Sequence, residues 1–71
     1  MGMAFDRSKL RGRIVEKYGS QKAFAETLNM SDRTMSLKMN NVVAISQEEI
    51  VEWCELLELR DEDIPEYFFK K

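Results

Sequence analysis

Two apolar-patterned segments, Gln21–Leu28 and Ser31–Met39, are separated by only Asn29 and Met30, and no other feature of the 71-residue chain restricts its fold as sharply. A break this short makes two helices cross steeply instead of running on as one. Asn29 suits the bend, because asparagine enters the left-handed region more readily than most non-glycine residues. Ser20 and Ser31, standing before the two segments, are N-caps whose hydroxyls accept from the open N–H groups of a first turn. The inward set is Phe24, Ala25, Leu28, Met30, Met35 and Met39. Ala25 is small enough to let the third helix approach the second closely, and the three methionines fill the core without forming a metal or ligand box.

The flanking sequence predicts three more helices. The first covers Arg7–Tyr18, with Asp6 as N-cap, Gly19 ending it, and Leu10, Ile14 and Tyr18 as its apolar stripe. Asn40–Ile45 reads as a loop. Ser46 and Glu49 form a capping box that opens a fourth helix to about Leu57. Its inner stripe is Ile50, Trp53, Cys54 and Leu57, while Glu48, Glu52, Glu55 and Glu58 face water. A last helix starts near Asp61–Asp63 with Pro65 in its first turn, and Ile64, Tyr67 and Phe68 pack back onto the bundle. Phe68 and the adjoining Phe69 are expected to form a small dimer patch. No segment alternates with the strand period of two, so the expected fold is all-α: a compact bundle of about five short helices, one domain over residues 5–69.

Composition narrows the function. Hydrophobic residues make up 44% and charged residues 34% of the chain, as in a soluble globular protein. No apolar run approaches the roughly 18–20 residues needed to span a bilayer, and no secretory core precedes the domain. Met1-Gly2 is given no structural weight. The single cysteine, Cys54, cannot form an internal disulfide, which predicts a cytoplasmic location. There is no histidine, no Cys/His metal spacing, no glycine-rich phosphate loop and no nucleophile elbow. No enzyme activity, catalytic residue, metal, cofactor, small-molecule substrate or membrane partner is therefore expected. The net charge of −2 is unevenly spread. Residues 1–41 carry eight cations against four acids, and residues 42–71 carry nine acids against three cations. This split allows a positive front half to face a polyanion with the acidic half turned away; the competing reading is that both are simply solvated faces.

On the third helix, Arg33, Ser36, Leu37 and Asn40 share one face. Arg33 can bond a guanine through O6 and N7, Leu37 can meet a thymine methyl, and Ser36 is a less specific partner. Asp32 is repelled by phosphates unless it accepts from a cytosine amino group or pairs with Arg33. Gln21 and Lys22, at the start of the second helix, are expected on phosphate, and Lys38, Asn40 and Asn41 on phosphate from the far side. The competing reading of Arg33 is a surface arginine paired with Asp32 or Glu26.

The segment Gln21–Asn40, QKAFAETLNMSDRTMSLKMN, resembles the helix-turn-helix of phage Cro and repressor proteins, a lambda-repressor-like fold. The wider chain, from Phe5-Asp6 to Tyr67-Phe68-Phe69, resembles small Cro-like regulators of phages of Gram-positive bacteria, most specifically over Lys9–Lys38. The resemblance implies that Ser31, Asp32, Arg33, Ser36 and Leu37 read bases and that Gln21 contacts phosphate. It also implies a homodimer on a near-palindromic double-stranded DNA operator, switching phage genes at the nucleoid of the host. Two positions depart from the pattern: Asn29 stands where the turn usually carries glycine, and Lys38 where a buried apolar residue is usual. Met39 is expected to supply the missing anchor. The rival expectation is an antirepressor, which uses the same fold to grip a phage repressor protein.

Overall fold

The computed structural model describes residues 5–71, and within them the fold is all-α. Helix α1 covers Ser8–Tyr18, α2 Gln21–Thr27, α3 Asp32–Met39 and α4 Gln47–Leu57. A 3-10 turn at Asp61–Asp63 leads into the short α5, Ile64–Phe68. Helix α1 starts one residue later than the sequence predicts, because Asp6 accepts from both the Ser8 N–H (2.9 Å) and the Ser8 hydroxyl. Those two bonds hold its carboxyl below the usual carboxylate range and leave Arg7 at the N-cap position with no side-chain cap. Gly19 takes φ +87° to end the helix, a conformation in which an L side chain is strained.

The serine caps form as expected. Ser20 accepts from the Ala23 N–H at 3.0 Å and Ser31 from the Thr34 N–H at 3.1 Å. Between them Asn29 sits at φ +58°, and the Met30 N–H reaches back to the Ala25 carbonyl at 2.8 Å. That bond closes the end of α2 and directs the chain into α3 within a few residues. Ser46 and Glu49 complete a capping box at the start of α4. Losing one such hydroxyl typically costs about 1 kcal/mol, so Ser46→Ala should lower the free energy of unfolding in urea by that increment and move the midpoint down accordingly. An unchanged midpoint would show that Glu49 alone caps this helix.

The core is built from Leu10, Ile14, Phe24, Ala25, Met35, Met39, Ile50, Trp53, Cys54, Leu57 and Phe68. Its spine is a run of aromatic contacts: Tyr18 on Phe24 (5.0 Å between centroids), Phe24 edge-on to Trp53 (5.3 Å), and Trp53 on Phe68 (6.2 Å). Trp53 thereby joins α2 to α5 through α4. Phe68 is 1% exposed, which removes it from the expected dimer patch. Helix α5 packs on both α1 and α4 and spends Phe68 on the core, leaving Phe69 at the surface with 45% exposure. Cys54 is buried, and burial, followed by the charges of Asp61 and Asp63, pushes its thiol pKa up, which keeps it unreactive. No described helix is long and apolar enough to cross a membrane.

Candidate functional site

The short connection between α2 and α3 brings together one group of the expected contact residues. Gln21 and Lys22, at the start of α2, line a shallow depression with Asp32 and Ser36 of α3, and Met35 forms its floor. Ser31, Asp32 and Arg33 are exposed at the start of α3, while Ser36 and Leu37 are half-buried along it. The Ser31 hydroxyl is engaged locally, capping the helix and donating to Thr34 Oγ1 at 2.9 Å. Arg33 forms no ion pair with Asp32 or Glu26, and none with any other described residue. The α2–α3 surface therefore offers one unpaired guanidinium, a half-buried leucine and a polar hollow.

The far-side group behaves differently. Lys38, expected on phosphate, is only 8% exposed. Its ammonium donates to Glu49 Oε1 at 2.9 Å and to the Ala44 carbonyl at 3.1 Å. Burial alone would raise the Glu49 carboxyl. The Ser46 N–H at 2.8 Å and the bonded, charged Lys38 outweigh that and hold it below its ordinary value. Lys38 thus fills the slot where an apolar side chain is usual, as half of a buried ion pair, and Met39 is buried beside it. Asn41 is also engaged inside the protein. Its Nδ2 donates to the Phe5 carbonyl at 2.8 Å and its Oδ1 accepts from the Phe5 N–H at 3.2 Å. Of the three residues expected on this side, Asn40 alone is fully exposed.

Folding pairs some of the front-half cations with acids of the back half. Lys9 of α1 pairs with Glu66, Lys17 with Glu58 at 2.9 Å, and Arg13 with Glu16 at 3.1 Å while also donating to the Leu57 carbonyl. The bond from Lys17 holds the Glu58 carboxyl below its usual range. With Lys38 paired and Arg7 buried, the front-half cations outside any ion pair at the surface of the described residues are Arg11, Lys22 and Arg33. Glu58 and Glu66 of the acidic half thus lie against α1. On the α2–α3 surface itself, Lys22 and Arg33 are matched by Glu26 and Asp32, all four exposed. Sequence reasoning could have suspected Lys38 from its apolar slot. It had no signal for the cross-chain pairs, whose partners lie 41 to 57 residues apart.

Comparison with known proteins places the chain. The family described as "Protein of unknown function (DUF739)" matches residues 3–71. Among solved structures, the solution structure of the modulator of repression (MOR) of the temperate bacteriophage TP901-1 from Lactococcus lactis is similar. It is 46% identical, with 94% of this chain and 90% of that chain covered and a TM-score of 0.84. No curated protein matches.

Proposed function

We propose, from the premise that this chain belongs to the DUF739 family of proteins of unknown function, that it is a non-enzymatic regulator which controls a phage repressor by binding that protein. The observation that carries the reading is the likeness, over nearly the full length of both chains, to a phage modulator of repression. The surface chemistry supports it: the α2–α3 face balances two cations with two acids around the half-buried Leu37. That composition suits a protein partner better than a polyanion. In this reading Arg33 and Leu37 are the anchors, and Gln21, Asp32 and Ser36 line the rim.

The test is a titration of the full chain into the repressor encoded by the same prophage, with occupancy of the repressor's operator read by gel shift. The chain should form a complex and displace the operator at near-stoichiometric concentrations. Arg33→Glu, at an exposed position that leaves the core untouched, should weaken the complex about tenfold or more. A chain that leaves repressor affinity and operator occupancy unchanged would sink the proposal.

A second reading keeps one specific observation in its favour. Gln21 and Lys22 stand beside the start of α3, as they would if a homodimer read operator DNA with Ser31, Asp32, Arg33, Ser36 and Leu37 and held phosphates with Gln21, Lys22 and Asn40. Selection from a random duplex library separates the two readings. Enrichment of a palindrome, lost in Arg33→Ala, would establish direct DNA binding.

A further inference from the structure

Arg7 stands at the N-cap position of α1, yet its side chain is packed inside, with 7% of the residue exposed. Its Nη2 donates to Asn41 Oδ1 at 3.3 Å, a long bond to an oxygen already serving the Phe5 N–H. Among the described residues Nε and Nη1 have no acceptor at all. The adjacent Asp6 carboxylate accepts from Ser8 and forms no ion pair with Arg7, and burial lowers the pKa of the guanidinium. Phe5 lies against the cation, its ring centroid 5.8 Å from Cζ. A buried charge with dry N–H groups is costly unless something supplies the missing acceptors.

The surroundings indicate what would supply them. Arg7 lines a cavity of about 320 Å³ whose other walls include Asn41, Val42, Val43, Ile45 and Phe69. Through Ile45 and Phe69 it adjoins a second hollow that runs over Ile50, Val51 and Ile64. Val42, Val43, Val51 and Phe69 are all exposed large apolar residues, so the two hollows form one largely apolar surface with the Arg7 guanidinium beneath it. An apolar occupant without a charge would seal that cation in unpaired. A phosphate would leave most of its hydrated oxygens facing valine and phenylalanine. A carboxylate carried between apolar side chains satisfies both halves of the site.

We propose that this surface docks a segment of a partner protein in which one aspartate or glutamate side chain lies between large apolar side chains, the carboxylate pairing with Arg7 and the apolar groups covering Val42, Val43, Val51 and Phe69. The site is separate from the α2–α3 face and stands whichever macromolecule that face binds. Asn41 tethers the chain start to the cavity wall through Phe5, so docking there also bears on the loop that follows α3.

The test is a nitrogen-15 NMR titration of the full chain with two capped synthetic peptides, Ser-Gly-Leu-Glu-Phe-Gly-Ser and the same sequence with glutamine for glutamate. The glutamate peptide should move the Arg7 Nε–H, the Asn41 side-chain amide and the Val42 and Val43 amides. It should bind about tenfold or more tightly than the glutamine peptide, as expected for a charge-assisted pair. Arg7→Met should abolish that preference while holding or raising the thermal midpoint, since the guanidinium gives up the long bond to Asn41 and its contact with Phe5, and the buried unpartnered charge goes with them. Phe69→Ser, at an exposed position, should weaken both peptides and leave the fold intact. Equal binding of the two peptides, shifts confined to α2–α3, or sedimentation showing that a second copy of the chain already covers this surface would each overturn the proposal.

Discussion

Trp53→Ala should lower the free energy of unfolding by about 3–5 kcal/mol, roughly half of what a domain of this size commands. Trp53 is fully buried and stands between Phe24 and Phe68, so its loss removes both aromatic contacts that tie α2 and α5 to α4. Truncating a buried tryptophan costs about 3–5 kcal/mol. A domain of this size commands a total on the order of 4–10 kcal/mol at the usual stability per residue, and small domains bury proportionally less surface. The contrast with Trp53→Phe sharpens the expectation. The indole Nε1 is buried without an acceptor among the described residues, so phenylalanine loses volume but also removes an unsatisfied donor. Its cost should fall to about 1–2 kcal/mol. Far-UV circular dichroism with urea unfolding measures both variants. A Trp53→Ala chain that unfolds cooperatively within 1 kcal/mol or so of the parent would mean that the helices are held by something other than this aromatic spine.

Features decided within one or two turns of chain were legible in the sequence. Ser20, Ser31 and the Ser46–Glu49 box cap as their spacing predicts, because a cap bonds an N–H three residues away. Asn29 bends into the left-handed region because its neighbours end one helix and begin another. Features that depend on distant partners were not legible. Whether Lys38 reaches solvent is decided by Glu49 and Ala44, across a loop whose path has no periodicity. The unpaired state of Arg7 depends on Asn41, 34 positions away. Helix α5 spans only five residues: the spacing sets Phe68 inward with Ile64, as found, but is too short to keep it out of a surface patch with the exposed Phe69. Charge is of the same kind: Lys9 and Glu66 are far apart in sequence and adjacent in the fold, so a split along the chain does not by itself give the charge of any one surface.

Lys38→Ala should cost about 2–3 kcal/mol in urea unfolding. Removing one member of a buried ion pair typically costs 3–5 kcal/mol. The lower figure follows because Glu49 keeps the Ser46 N–H and its side chain is 23% exposed. The Ala44 carbonyl loses its donor as well, so the loop from Asn40 to Ser46 loses its internal staple. Amide exchange at Val42 and Val43 should quicken as local opening becomes easier. The double variant Lys38→Met/Glu49→Gln should recover most of the loss, because replacing both charges removes the desolvation cost along with the attraction. The pH dependence carries the same signature. Glu49 has a folded pKa below its unfolded value, so its stabilising share is fully present above the ordinary carboxylate range and is lost as pH falls through the folded value. Thermal midpoints should therefore drop on acidification in the parent and drop less steeply in the double variant. A Lys38→Ala chain as stable as the parent across that range would show that the ion pair only breaks even against water, and that the loop is held by the backbone bonds from Val42 and Val43 to the Leu37 carbonyl.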